Sequence, residues 1–113
     1  MERRRIGQSA EAAAVSFLES RGVRVLLRNY RGKVGELDLV AREGNTLVIV
    51  EVRRRSSNRF GGAAASVGPR KQARLRRTAA LLLQRRSQLA RLAVRFDVIA
   101  IGPTGLQWIK HAF

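Results

Sequence analysis

Three of the eight acidic residues in this chain of 113 residues occupy positions where a carboxylate is unusual. Asp38 lies between Leu37 and Leu39 in a short apolar segment, and Glu51 directly follows the apolar run 47–50. Burying a lone carboxylate costs several kcal/mol or more unless a cation or a hydrogen-bond donor accompanies it. Both acids therefore predict a charged partner nearby, which is either a basic side chain or a metal ion.

Glu11 is the third such acid. If its segment is helical, Ala14, Val15 and Leu18 follow it at spacings of three, four and seven residues. That spacing directs Glu11 from the middle of an apolar stripe toward the protein interior. Carboxylate oxygens without cysteine or a histidine pair favour Mg²⁺ or Mn²⁺ over Zn²⁺. Such an ion can polarise a phosphoryl oxygen and lower the pKa of a bound water molecule.

Ordinary ion pairs are the competing interpretation of these acids. Arg53 is two residues from Glu51, so in a strand the two side chains share one face. Another arginine could neutralise Asp38 in the same way. Asp97 lies in an apolar segment two residues after Arg95, and that pair is better explained by structure than by catalysis. Spacing alone leaves both interpretations open.

The elements that would position these acids follow from hydrophobic periodicity and turn residues. We predict a single domain over residues 1–113, of the α/β class, with a mixed sheet flanked by helices in the order αβββαβ(β). The first half of the chain is predicted to contain a helix Ile6–Arg21 ended by Gly22, a strand Val23–Leu27, a loop 28–35, and strands Glu36–Arg42 and Thr46–Arg53 joined by a tight turn. A mobile loop 54–68 follows, and then a helix that Pro69 opens and whose apolar spacing continues to Leu89. The last predicted elements are a strand Val94–Ile101 and an edge strand Leu106–Ile109.

Net charge restricts the partners. With 23 basic against 8 acidic residues the net charge is +15, and a domain this basic attracts polyanions. Aromatic residues make up only 5%, so stacking on bases cannot be the main binding mode. No cysteine is present, which excludes thiol chemistry and suits the cytoplasm. No membrane span is expected, and Glu11 interrupts the segment after the basic N-terminus, so we expect no secretion signal.

A phosphate-binding surface is the natural interpretation of the long basic stretch. No acid occurs between Val52 and Phe96, whereas basic residues recur throughout. We assign nucleic-acid binding, most plausibly of DNA, to Arg54, Arg55, Arg70, Lys71 and Arg74. Phosphate contacts weaken with salt and carry no sequence information, so recognition should depend on nucleic-acid shape. A solvated, arginine-rich helix face is the alternative.

Several short segments together resemble the YraN-like proteins of bacteria. They are Gly7-Gln8-Ser9-Ala10-Glu11, Arg28-Asn29-Tyr30-Arg31, Gly35-Glu36-Leu37-Asp38-Leu39-Val40, Val50-Glu51-Val52-Arg53-Arg54-Arg55, Lys71, Arg95-Phe96-Asp97-Val98 and Ala112-Phe113. That family consists of predicted endonucleases similar to archaeal Holliday-junction resolvases. The resemblance therefore implies a restriction-endonuclease-like fold, of the PD-(D/E)xK group.

The resemblance also implies roles for individual residues. Asp38 and Glu51 would ligate the metal, with the Val52 carbonyl as a backbone ligand, and Glu11 would complete the shell directly or through water. Arg53 takes the place of the motif lysine that positions water and offsets phosphate charge. Arginine stays protonated, so it cannot act as a general base, whereas a metal-hydroxide mechanism is compatible with it.

The expected activity is Mg²⁺- or Mn²⁺-dependent hydrolysis of phosphodiester bonds in branched or structured DNA, in the cytoplasm. Resolution of a four-way junction needs two cuts, so a homodimer is expected for that substrate. A non-catalytic nucleic-acid-binding module on a degenerate nuclease fold is the main alternative, and Arg53 is the residue that favours it. A protein-interaction factor is a third possibility and predicts no salt-dependent DNA affinity.

Overall fold

The computed structural model describes residues 2–56 and 62–113, with side chains described from Ala10 onward in the first helix. Two helices and five strands follow the predicted order. They are α1 (Glu2–Ser20), β1 (Arg24–Arg31), β2 (Glu36–Glu43), β3 (Thr46–Arg54), α2 (Pro69–Arg85), β4 (Ala93–Gly102) and β5 (Gly105–Ile109), with a 3₁₀ turn Ser87–Leu89 before β4. Gly22 follows α1 at φ 80° and Gly44 forms the β2–β3 turn at φ 59°, conformations that favour glycine.

The five strands form one mixed sheet in the order β1-β2-β3-β4-β5. β1, β2 and β3 pair antiparallel, β3 and β4 pair parallel, and β5 returns antiparallel to β4. The parallel pair requires a crossover between its strands, and the segment containing α2 supplies it. This is the α/β architecture of a mixed sheet flanked by helices, consistent with a restriction-endonuclease-like fold.

Each helix covers one face of the sheet with its own apolar cluster. On the α1 face, Ala14 and Leu18 pack with Val48, Val50 and Ile99 of the sheet. The α2 face is larger, and its buried residues include Leu75, Leu82, Val40, Ile49 and Val98. Because β3 is covered on both faces, its run Leu47–Val50 is buried throughout, as the unbroken apolar sequence indicates.

Asp97 fastens the C-terminal segment to β4. Its buried carboxylate accepts two hydrogen bonds from Arg95, at 2.8 and 2.9 Å, one from Trp108 Nε1 at 2.9 Å and one from the His111 backbone at 2.9 Å. Arg95 also donates a hydrogen bond to Glu43, and this bond holds the pKa of Glu43 below its usual value. The structural interpretation of Asp97 is therefore confirmed.

Two sequence predictions about the strands were wrong. β1 continues to Arg31, because Tyr30 and Arg31 pair with Leu37 and Glu36 in what was predicted to be a loop. Tertiary pairing thus outweighs the polar composition of that segment. The alternation of side chains along a strand also predicts that Leu37 and Leu39 share one face, but Leu37 belongs to the α2-side cluster and Leu39 to the α1-side cluster.

The second helix also ends at a different residue from the predicted one. α2 ends at Arg85, and Leu89 is buried from the 3₁₀ turn instead. Residues 57–61 of the loop predicted over 54–68 lie outside the described residues. In the part of the chain that is described, no helix is both long and apolar enough to cross a membrane.

Candidate active site

The end of the β2–β3 pairing brings Asp38 and Glu51 together. Paired residues run from Glu43↔Thr46 to Leu39↔Val50, and one further step of that register places Asp38 opposite Glu51. The Asp38 carboxylate accepts a hydrogen bond of 2.9 Å from the Val52 backbone amide. A side chain of β2 thus caps an amide of β3 where the ladder ends. Antiparallel pairing of the two predicted strands places Asp38 and Glu51 at adjacent strand ends, and this prediction is confirmed.

Two cations contact Glu51, whose side chain is only 5% exposed. The ammonium group of Lys71, from α2, forms an ion pair with Glu51 Oε2. Arg53 Nη2 lies 3.6 Å from the same oxygen, too far for a good hydrogen bond. The buried Arg53 Nε has no hydrogen-bond partner among the described residues. Lys71 therefore interacts with Glu51 more closely than Arg53 does.

The acid pair lines a cavity of about 200 Å³ between β2, β3 and α2. Its lining is Gly35, Glu36, Asp38, Glu51, Lys71, Arg74, Leu75 and Thr78. One wall is a close approach of Gly35 to Thr78, where an added Cβ would lie 3.0 Å from Thr78 Oγ1. Thr78 itself donates to the Arg74 carbonyl at 2.7 Å, which fixes its hydroxyl against the helix. The turn before β2 is thus held directly against α2.

Asp38 is the acid whose proton affinity the site changes most clearly. Burial, and then the neighbouring charge of Glu51, raise the pKa of Asp38 from 3.8 to about 6. The Val52 amide and Lys71 act in the opposite direction and offset only part of that rise. Two carboxylates that share a site and lack enough positive charge produce this effect. A perturbed acid in a cavity is a candidate functional group.

Glu11 is not part of this group. It lies on α1, the helix of the opposite sheet face, at the edge of the buried stripe that Ala10, Ala14 and Leu18 form. Within residues 10–56 and 62–113, no three acidic, histidine or cysteine side chains lie close enough together to hold a metal ion. The structure therefore brings Asp38 and Glu51 together and leaves out the third acid that the sequence suggested.

A hard divalent cation fits the two acids that do meet. Mg²⁺ keeps several water molecules and is commonly held by one or two carboxylates, so a third acid is not essential. The raised pKa of Asp38 indicates that the pair has room for more positive charge than Lys71 and Arg53 supply. Asp38 and Glu51 would hold such an ion. At Val52 the described contact is its amide bonded to Asp38, which positions that carboxylate.

The five residues assigned to nucleic-acid binding divide between the two sheet faces. Lys71 and Arg74 line the acid cavity, and Arg70 is exposed at the start of the same helix. Arg54 and Arg55 lie where β3 ends, beside a second cavity of about 390 Å³. That cavity lies against Ala10 and Ala13 of α1. Cationic side chains therefore flank the acid pair on both faces of this end of the sheet.

Comparison with known proteins identifies the family. The model of the uncharacterised protein family UPF0102 matches residues 10–101. The chain belongs to this family. It is 49% identical to the UPF0102 protein of Herminiimonas arsenicoxydans, over 95% of this chain and 85% of that protein. It is 48% identical to the UPF0102 protein of Moorella thermoacetica, over 100% of this chain and 98% of that protein. The predicted resemblance to the YraN-like bacterial family is thereby confirmed.

Lys71 is the residue of this UPF0102 protein whose position the sequence analysis missed. It was assigned to the phosphate-binding surface, whereas its ammonium group lies inside the acid cavity. A signal was present, because Lys33, Lys71 and Lys110 are the only lysines of a chain otherwise rich in arginine. A lysine among arginines indicates a position that requires a compact cation whose proton is released more readily than that of arginine.

Proposed function

We propose that this UPF0102 protein is a metal-dependent endonuclease that hydrolyses phosphodiester bonds in DNA, with Mg²⁺ or Mn²⁺ as its ion. The observation that carries the proposal is the pairing of Asp38 with Glu51 in a cavity that also contains Lys71. Holding two carboxylates together costs free energy, because each is partly removed from water and the two repel each other. Two apolar side chains would fill the same space without that cost, so the acid pair indicates a function. The net charge of +15 favours a polyanionic substrate.

The chain supplies distinct groups for the reaction. Asp38 and Glu51 would hold the ion, which when bound polarises a phosphoryl oxygen and lowers the pKa of a water molecule. The Val52 amide fixes the orientation of Asp38, and Lys71 fixes that of Glu51. Lys71 and Arg74, at the cavity wall, offer positive charge to the phosphate as its negative charge grows in the transition state.

Lys71 resolves the difficulty raised by Arg53. A guanidinium stays protonated and cannot shuttle a proton, whereas a lysine ammonium can. Since Lys71 is the cation paired with Glu51 inside the cavity, we assign to it the role that Arg53 cannot fill. Arg53 then adds fixed charge from 3.6 Å. A non-catalytic binding module, which Arg53 favoured, loses its main support.

Substrate shape and cellular location extend the proposal. Arginine contacts to phosphates read no sequence, so branched or otherwise structured DNA is the substrate class we favour. Two cuts in a four-way junction would require two copies of the chain. The absence of cysteine fits the reducing cytoplasm, where such DNA is found.

Cleavage assays with matched variants test this proposal. Glu51→Gln and Asp38→Asn should each lower Mg²⁺-dependent cleavage of junction, flap and duplex DNA about a thousandfold, because the ion contributes several kcal/mol to the transition state. Both should retain DNA binding at low salt. Glu19→Gln changes an exposed acid on α1 in the same way and should leave cleavage unchanged.

Two outcomes would decide against parts of the proposal. Equal cleavage by wild type and by Glu51→Gln would show that the nuclease activity arises elsewhere or from a contaminant. Salt-dependent DNA binding without any cleavage under Mg²⁺ or Mn²⁺ would establish the binding module instead. Glu11→Gln measured alongside separates a two-acid from a three-acid site, because only in the latter would it lose as much activity as Glu51→Gln.

A further inference from the structure

A second cationic cleft lies at the opposite end of β2 from the acid pair. We name it the distal cleft, with a volume of about 270 Å³ and a lining of Arg24, Leu26, Leu27, Arg42, Arg86, Gln88 and Leu89. Three arginines and three leucines are among its lining residues, and no acid is. The cleft lies on the same sheet face as the acid cavity, because α2 begins beside one and ends beside the other.

Two of these arginines face each other across the sheet. Arg24 of β1 pairs directly with Arg42 of β2. Like charges directly opposite each other on neighbouring strands destabilise a sheet. Neither Arg24 nor Arg86 forms an ion pair within the described ranges, and Arg42 bonds only to the turn, through Gly44 and Asn45. An anion in the cleft would relieve this repulsion.

The nearest acid along the chain cannot neutralise the cleft. Glu43 follows Arg42 in β2, so its side chain projects to the other face. There it is already bonded to Arg95 at 2.9 Å and to Lys110 at 3.4 Å. The positive charge of the distal cleft is therefore left for a ligand.

A row of exposed arginines connects the distal cleft to the acid cavity along α2. The spacing of its members places them on one side of the helix, within about a quarter turn of one another. Named here the α2 row, it consists of Arg70, Arg74, Arg77 and Arg85. At 1.5 Å per residue, Arg86 lies roughly 20 Å along the helix from Lys71. Duplex DNA rises 3.4 Å per base pair, so this distance corresponds to roughly six base pairs.

We propose that the distal cleft binds the DNA phosphate backbone about six base pairs to one side of the bond positioned at Asp38 and Glu51. The inference extends the proposed function, because it gives the enzyme a fixed minimum length of duplex beside the scissile phosphate. The proposed ligand is a continuous polyanion, because it can contact both the distal cleft and the α2 row. A single small anion would occupy the cleft and make no contact with the α2 row.

Binding of duplexes of different length tests the inference. The variant Arg24→Gln/Arg86→Gln should weaken binding of a 20-base-pair duplex at least tenfold at low salt, and lower the salt slope of log K by about two. Arg28→Gln is the matched control, because Arg28 is exposed on the same strand but pairs with Leu39, whose side chain belongs to the α1 face. It should leave the slope unchanged.

Three further results would decide the matter. Duplexes shorter than about six base pairs should bind wild type and the double variant equally, since they cannot span both sites. If the double variant behaves like Arg28→Gln on the long duplex, the inference is wrong. It is also wrong if inorganic phosphate or mononucleotide competes as well as duplex at equal phosphate concentration, because the cleft would then be a small-anion site.

These results remain separate from those for catalysis. Where wild type cleaves DNA, the double variant should raise KM with little change in kcat, because Asp38 and Glu51 are intact. If wild type binds long duplexes through the distal cleft but cuts none, the proposed nuclease activity fails and the binding site stands. If cleavage occurs and the double variant matches wild type in KM, the nuclease stands and the binding site fails.

Discussion

Asp97 is a buried acid and Asp38 a half-buried acid of the same sheet, and the two differ in how their charge is balanced. Asp97 accepts four hydrogen bonds, two of them from the guanidinium of Arg95. Asp38 accepts one from the Val52 amide, and burial together with the neighbouring charge of Glu51 raises the pKa of Asp38 to about 6. The first carboxylate has every partner that a buried charge requires, and the second does not.

The difference separates a structural acid from a candidate functional one. A carboxylate whose partners all come from the chain leaves nothing for a ligand to supply, and its removal should harm the fold. A carboxylate left short of positive charge is stabilised by a ligand cation, and its removal should harm activity more than folding. Burial alone would have ranked Asp97, at 0% exposed, above Asp38 as a site residue.

The largest expected effect is on stability, at Asp97. Asp97→Ala leaves the Arg95 guanidinium, 17% exposed, without its main partner and removes the acceptor of Trp108 and His111. Breaking a buried ion pair by removing one partner costs about 3–5 kcal/mol. Urea unfolding monitored by circular dichroism should show that loss. Asp38→Asn should show no such loss, and a loss of that size there would remove the contrast between the two acids.

A smaller effect, on cleavage, should distinguish the two cations at Glu51. Lys71→Met removes the ammonium group inside the cavity and should lower cleavage about a hundredfold, whereas Arg53→Met, farther away, should lower it about tenfold. Lys33→Met removes an exposed lysine elsewhere and serves as the control. Single-turnover rates measure the difference. The reverse ranking of Lys71 and Arg53 would return the motif-lysine role to Arg53.

The smallest effect should appear in the stability of the metal-free protein. Because the pKa of Asp38 is about 6 in the folded chain and 3.8 without the fold, ionisation is harder in the folded state. The resulting penalty is absent below about pH 4, grows as the pH rises through 6 and is complete above it. Asn cannot ionise, so Asp38→Asn should be more stable than wild type at pH 7.5 by roughly 1–2 kcal/mol, and not at pH 4.

Denaturant titrations at both pH values, with and without Mg²⁺, measure this difference. The ion should stabilise wild type and leave Asp38→Asn nearly unchanged, because only the wild-type pair carries the charge that binds it. Equal stability of the two proteins at pH 7.5 without metal would mean that Asp38 is as well balanced as Asp97.

Local sequence patterns were enough to predict most of the fold and the two acids of the candidate site. The apolar residues of β2, the unbroken run in β3 and the turn at Gly44 predicted a hairpin with Asp38 and Glu51 at one end. Those two acids meet because strand register, once a turn is fixed, determines which side chains are opposite. Pro69 at the first position of α2 was likewise sufficient to predict where that helix begins.

Contacts between distant segments could not be predicted in this way. The ion pair of Lys71 with Glu51 depends on how α2 lies on the sheet, which no periodicity specifies. The ion pair of Glu43 with Arg95, which lies far along the chain, has no local sequence signal either. Glu11 was predicted to project inward from the middle of an apolar stripe, but it lies at the edge of that stripe and on the other side of the sheet from the acid pair.

The origin of the site residues in the chain has a consequence for the newly made protein. Asp38 and Glu51 come from one hairpin, whereas Lys71 and the wall at Thr78 come from α2. A ribosome releases the hairpin first, so the two acids can meet before the helix that balances and encloses them has been synthesised. A chain interrupted at that stage has both acids but neither the lysine nor the cavity, so the proposed nuclease site stays incomplete until α2 has been made.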